Sequence, residues 1–211
     1  MSPSLRHQTV ASELRIAYDG SAEARSASER APWQIAERAA FLARLRDEGR
    51  SSLLEVGAGA GHDSRFFSDH GMRVVATDLS PRMVEMCRNR GVEAHVMDVL
   101  DLALPPPAFE SSYSMNSLLH VPNADLERAL LAIRGALQPD GLCYLGLYGG
   151  TETFEGILPS DWHVPKRFFS FRTDEQLISV VERVFRVEEF HVLNEGMHYQ
   201  SLTLRAGGSG A

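Results

Sequence analysis

Three glycines at alternate positions, Gly57, Gly59 and Gly61, follow an apolar run containing an acid, Glu55, within the stretch LLEVGAGAGHDSRFF that starts at Leu53. Glycine lets the backbone turn sharply and lets a ligand approach where a Cβ would collide. A helical stretch follows, so free N–H groups of a helix N-terminus are presented beside that turn. Two further acids come at regular intervals: Asp78 ends the apolar run Val74, Val75, Ala76, Thr77, and Asp98 ends Ala94, His95, Val96, Met97. An acid about 20 residues after a glycine turn is placed to accept hydrogen bonds from two ribose hydroxyls. The spacing is G-x-G-x-G. A dinucleotide fingerprint needs its third glycine at position 62, which is His62 here, so a nicotinamide-dependent oxidoreductase is a distant alternative.

These residues need a scaffold of strands that end together. Leu53, Leu54 and Val56 read as a buried parallel strand, with Phe66 and Phe67 packing back on it from the following helix. Three strands in succession deliver a turn or an acid at their C-terminal ends, and open α/β sheets bind ligands in that crevice. The expected fold is α/β, a Rossmann-like doubly wound sheet of about seven strands, mostly parallel, with an antiparallel C-terminal hairpin and helices on both faces.

The chain resembles the class I S-adenosylmethionine-dependent methyltransferases. LLEVGAGAGHD is similar to their first motif, VVATDLSPRMVEMCR to the second and VMDVLDL to the third; FESSYSMNSLLHVP and IRGALQPDGLCYLGLY are similar to the fourth and fifth regions. The resemblance covers about residues 50 to 150. It implies S-adenosyl-L-methionine as cofactor and S-adenosyl-L-homocysteine as its product. The implied contacts come from Glu55, Gly57, Ala58, Gly59, Gly61 and Asp63 in the first motif. Asp78 would hold the ribose, with Leu79 and Met83 bordering the cofactor, and Asp98 with Val99 would meet the adenine amino group. Asn116 and Ser117 fall where the family places residues near the transferable methyl. A Tyr18-Asp19 pair matches an N-terminal flap in which Tyr18 would hydrogen-bond the methionine carboxylate.

Along the rest of the chain, Thr9 to Ala17 forms a short helix that Tyr18, Asp19 and Gly20 break. A helix starting near Ser28 and Pro32 buries Ile35, Ala39, Leu42 and Leu45, with Trp33 lining a substrate cavity or packing on the sheet. Ser80 and Pro81 are cap and first residue of a helix that ends at Gly91. Pro105, Pro106 and Pro107 make a stiff connection to a strand, Glu110 to Ser114, that is unusually polar for a sheet centre. Asn123 caps a helix. Gln138 to Gly141 is a turn before a fifth strand, Leu142 to Tyr148. Residues 149–172 show no sustained period and read as a lid. A capping box at Thr173 to Gln176 opens the last helix, and two strands flank Asn194, Glu195 and Gly196. Residues 1–206 therefore read as one domain, with 1–50 a helical flap and 207–211 a flexible tail.

The net charge of −7 argues against a nucleic-acid partner. No apolar run approaches a membrane span. Cys87 and Cys143 read as buried free thiols in a reducing compartment, which makes the cytoplasm the expected location; a monomer or homodimer is expected. Methyl transfer from a sulfonium is an in-line displacement that needs alignment and exclusion of water, and a general base when the acceptor is a hydroxyl. His120 is the first candidate base, because it follows a strand ending at the crevice. His163, with Asp161, Lys166 and Arg167 in the lid, is the second. No His, Cys or acid cluster has a tight metal-ligand spacing, so no metal is expected. The expected function is methylation of an oxygen or nitrogen of a small molecule. A macromolecular acceptor and a non-catalytic cofactor-binding module are the alternatives.

Overall fold

The structure, a computed structural model, describes residues 5–104, 109–194, 196 and 198–207. The expected triproline connection, Glu195 of the hairpin loop and the tail beyond Gly207 lie outside the described residues. In chain order the elements are α1 (Leu5–Gly20), α2 (Ala22–Ala27), α3 (Pro32–Asp47), β1 (Ser52–Val56), α4 (His62–Asp69), β2 (Arg73–Asp78), α5 (Pro81–Asn89), β3 (Glu93–Val96) and β4 (Phe109–Met115). After a 3-10 turn (Leu118–His120) come α6 (Asn123–Ala136), β5 (Leu137–Tyr148), β6 (Phe154–Ile157), β7 (Phe168–Phe171), α7 (Asp174–Val181), β8 (Phe185–Asn194) and β9 (His198–Ala206).

Seven strands form one sheet in the order β3-β2-β1-β4-β5-β9-β8. The first five are parallel, and β9 pairs antiparallel with both β5 and β8. All five residues of β1 are buried, as a central strand covered on both faces requires. Successive side chains alternate between faces. Leu54 and Val56 join the core with α6 and α7, through Leu126, Leu130, Ile133, Leu177 and Val181. Leu53 joins the other core, with Leu42 and Leu45 of α3, Phe67 of α4 and Cys87 of α5.

The polar character of β4 has a physical cause. Glu110 Oε2 accepts hydrogen bonds from the backbone N–H groups of Ser51 and Ser52, at 2.8 and 3.0 Å, so the carboxylate pins the entry to β1. Ser111 Oγ donates to the Ser52 carbonyl at 2.7 Å. The small serine side chains leave room for Tyr113, which is buried and stacks on Tyr144 at 4.7 Å.

Several local expectations are corrected. Helix α1 does not break at Tyr18 but runs on to Gly20. Asp19 is satisfied there by the N-terminus of α5, accepting from Ser80 Oγ and from the Arg82 N–H. Ile35 and Ala39 are exposed, and Phe41 joins Leu42 and Leu45 on the buried face of α3. Pro122, not Asn123, occupies the N-cap of α6. Strand β5 starts at Leu137 and passes through the expected turn, with Asp140 at φ 63°. Residues 149–172 contain an antiparallel pair, β6 with β7, whose rungs number only four.

The second and third glycines of the turn have different roles. A Cβ on Gly61 would lie 2.9 Å from Cys87 Sγ and 3.0 Å from Cys87 Cα, at φ +80°, so this glycine lets α5 pack against the turn. A Cβ on Gly59, at φ +56°, would meet nothing within 4 Å. Gly61→Ala is therefore expected to lower the unfolding free energy by about 2–4 kcal/mol, from overpacking plus the left-handed backbone. Gly59→Ala should lose only the backbone part, roughly 1–2 kcal/mol. Urea denaturation of both variants checks this; equal losses would contradict the packing role.

Candidate functional site

One cavity opens at the C-terminal ends of β1, β2, β3 and β4. Its floor is the turn after β1, with Gly57, Ala58 and Gly59. One wall carries Asp78 and Leu79, the next Met97, Asp98 and Val99, and the opposite wall Met115, Asn116, Ser117 and His120. Helix α1 roofs it with His7, Ala11, Leu14 and Tyr18. Arg25, Ser28, Arg30 and Gln34 close the side toward α3.

Each wall is set by the end of a strand. Asp78 Oδ2 accepts from the Gly59 N–H at 2.8 Å, and Oδ1 accepts from the Ser80 N–H at 2.9 Å. These bonds orient the carboxylate, and each oxygen keeps a second lone pair for a ligand hydroxyl. Burial pushes its pKa up, against the pull of those two N–H groups. Asp98 Oδ1 accepts from the Leu100 N–H at 2.9 Å, and both its oxygens face His7 Nε2, at 3.0 and 2.8 Å. Burial raises the Asp98 carboxyl, but the His7 and Leu100 bonds outweigh it and its pKa lies below the usual value. Asn116 adopts φ 57°, its N–H donates to the Gly146 carbonyl at 2.7 Å, and its Oδ1 is buried without a partner among the described residues.

Other expected contacts lie behind the cavity wall. Glu55 is buried and accepts from Ser64 Oγ; burial, with Asp63 nearby, pushes its pKa up to about 8. Asp63 is gripped by Arg30 at 2.7 Å and Arg38 at 2.8 Å. Met83 is fully buried in a cluster with Ala22 and Ala60. Gly61 packs on Cys87. These four shape the turn and the helix ends without lining the cavity.

The two expected bases are corrected most. His120 Nδ1 donates to the Phe168 carbonyl at 2.6 Å, which leaves Nε2 as the acceptor of the neutral ring. Tyr18 donates its hydroxyl hydrogen to that Nε2 at 2.6 Å, and Arg167 donates to the Tyr18 oxygen at 3.1 Å. Burial, followed by the charges of Arg167 and Arg25, drives the His120 pKa down to about 3. In this geometry His120 has no free lone pair and little basicity. Tyr18, with its hydrogen spent on His120, has none to offer a carboxylate. His163 does not line the cavity: it is buried, with Nδ1 3.1 Å from Asp161 Oδ1 and Trp162 stacked on it at 3.8 Å. Burial, then Arg167, lowers its pKa.

The segment 149–172 likewise contributes no residue to the cavity lining. Phe168 and Phe169 turn inward instead, Phe169 packing on His120 at 4.9 Å and on Phe171 at 5.6 Å. Asp161 holds Arg167 through the backbone N–H at 2.8 Å and the guanidinium at 2.7 Å. Trp162 is exposed, and Trp33 packs on Tyr199 at 4.5 Å, so neither lines the cavity. The residues that sequence reasoning missed are His7, Arg25, Ser28, Arg30 and Gln34. They lie on or between helices whose crossing over the sheet leaves no local pattern.

The sheet order and the cleft at its strand ends define a Rossmann-like α/β architecture. Residues 54–145 match a family model described as a methyltransferase domain. That match covers the glycine turn, both acid-ended strands and β4, and leaves α1, α2, α3 and the residues after 145 outside it. An S-adenosyl-L-methionine-dependent Diels-Alderase, iccD, of Talaromyces variabilis is 32% identical over 101 residues, 43% of this chain and 34% of that protein. A ubiquinone biosynthesis O-methyltransferase of Xanthomonas euvesicatoria pv. vesicatoria is 30% identical over 134 residues, 55% of each chain. The chain thus spans between a third and somewhat over half of these curated relatives. In fold it is similar to the Burkholderia thailandensis 1,6-didemethyltoxoflavin-N1-methyltransferase, solved with 1,6-didemethyltoxoflavin and S-adenosylhomocysteine bound. The TM-score is 0.74 at 22% identity, covering 98% of this chain and 92% of that one. Among the described residues no helix is long and apolar enough to cross a membrane.

The lowered His120 pKa has a thermodynamic consequence. Between about pH 3 and 6.5 the unfolded chain binds a proton at His120 that the folded chain does not. Stability therefore rises with pH through that window and is fully present above pH 6.5. His120→Gln is expected to flatten the slope between pH 4.5 and 6.5, measured by urea denaturation at several pH values. An unchanged slope would show that His120 titrates normally.

Proposed function

We propose that the protein transfers a methyl group from S-adenosyl-L-methionine to an oxygen or nitrogen of a small molecule. The observation that carries this reading is the Asp78 carboxylate, fixed by Gly59 and Ser80 N–H groups at the rim of the glycine turn. The cavity residues fit the cofactor. Gly59 leaves open space where a Cβ would stand, and the unpartnered Asn116 Oδ1 suits an ammonium group. Asp78 would accept from the ribose hydroxyls, and Asp98 from the adenine amino group in place of His7. Arg30, braced by Asp63, supports an assignment to the methionine carboxylate, the role first expected of Tyr18. The cofactor supplies a methyl carbon on a positively charged sulfur.

What the protein adds is placement. Helix α1 roofs the cleft through Ala11, Leu14 and Tyr18, and such a roof would shield the transfer from water and favour displacement over hydrolysis. Small-molecule acceptors are supported by the relatives' own descriptions and by the roofed cleft.

Isothermal calorimetry with S-adenosyl-L-homocysteine tests the reading. The wild-type chain should bind it, and Asp78→Ala should weaken binding at least tenfold, since it removes a charged acceptor contributing about 1.5–3 kcal/mol. Absence of binding by the wild type, or equal affinity of the two proteins, would overturn the assignment.

A further inference from the structure

Resting on that reading, we infer that the methyl acceptor is a carboxylate, and that Arg25 holds it over the reacting end of the cofactor cleft. Arg25 lines the cavity. Its guanidinium lies over one side of the Tyr18 ring at 5.1 Å, while that of Arg167 lies 5.5 Å from the same ring. The two cations differ in one respect. Arg167 is neutralised by Asp161 at 2.7 Å, whereas Arg25 has no carboxylate partner among the described residues. A guanidinium that faces a cleft without an ion pair of its own, although its charge reaches Asp78, can recognise an anion.

The position of Arg25 separates it from the cofactor's own carboxylate. Arg30 acts at the α4 end of the cleft: it bonds Asp63, and its charge is felt at Glu55 and His62. The Arg25 backbone also meets His62 at that end, but its guanidinium lies against the Tyr18 ring, 5.1 Å from the ring centroid, and the Tyr18 hydroxyl reaches His120. That is the stretch between the ribose anchor and the wall formed by the end of β4.

The state of the bases points to the same acceptor. His120 Nε2 is occupied by Tyr18, and His163 and Glu55 stand outside the cavity. An acceptor hydroxyl would find no free base among these three groups, whereas a carboxylate needs none. Its oxygen bonds to the methyl carbon as the carbon–sulfur bond breaks. The electron pair of that bond stays on sulfur, no proton moves, and the products are a methyl ester and a neutral thioether. A guanidinium facing the cleft also favours an anion over an ammonium or a neutral amine.

The test uses the full chain and the S-carboxymethyl analogue of the cofactor, in which CH2–COO⁻ replaces the methyl group. By calorimetry, the wild type should bind this analogue at least tenfold more tightly than S-adenosyl-L-methionine, which carries the same sulfonium. Arg25→Gln should remove that preference and leave S-adenosyl-L-methionine affinity within about twofold, and Arg25→Lys should retain part of it. A wild type without the preference would overturn the inference. Equal weakening of both ligands in Arg25→Gln would overturn it too, and would assign Arg25 to the methionine carboxylate. If neither ligand bound the wild type, the cofactor reading would fall as well.

Discussion

The cleft depends on one buried chain of hydrogen bonds: Arg167 to Tyr18, Tyr18 to His120, and His120 to the Phe168 carbonyl. Its members come from β7 and the connection before it, from α1, and from the 3-10 turn after β4. Each bond fixes the direction of the next, because a carbonyl only accepts and so sets the tautomer of the imidazole. The imidazole then sets the direction of the tyrosine hydroxyl. The chain fastens the roofing helix to the sheet. Burial keeps the imidazole neutral, and a protonated ring would reverse the donor at Nε2 and oppose the Tyr18 bond.

Charge is layered around this chain. Beneath and beside the glycine turn lie carboxyl groups, with Glu55 buried and Asp63 clamped between Arg30 and Arg38. Above it lie cations, with Arg25 facing the cleft and Arg167 bound to Asp161. Asp63 thus acts through Arg30, and Asp161 through Arg167. Each carboxylate holds a guanidinium in place rather than meeting a ligand itself. The segment 149–172 has the same supporting role, since it delivers Arg167 and the Phe168 carbonyl to the buried chain while Phe154, Phe169 and Phe171 pack into the core.

The parts legible in the sequence are those whose chemistry is local. The glycine turn and the acids Asp78 and Asp98 each sit at the end of a strand recognisable by its own apolar run, so the floor and two walls follow from short stretches. The roof does not. His7, Arg25 and Arg30 reach the cleft only because three helices cross it, and no spacing within those helices marks the facing side. The turn signal of Tyr18, Asp19 and Gly20 does not break α1, because Asp19 bonds to the start of α5, a partner that no local pattern carries. The strands β6 and β7 were invisible because four residues are too few for alternation to show. The basicity of His120 is not legible either, since it depends on partners 48 and 102 residues away.

The central claim is that this cleft is a nucleoside site organised on Asp78. The most direct measurement is a crystal structure of the chain with S-adenosyl-L-homocysteine. The account predicts both ribose hydroxyls at hydrogen-bond distance, about 2.6–3.2 Å, from the Asp78 carboxylate, with the adenine amino group on Asp98 where His7 now lies. A nucleoside bound elsewhere, or one whose ribose makes no contact with Asp78, would contradict it.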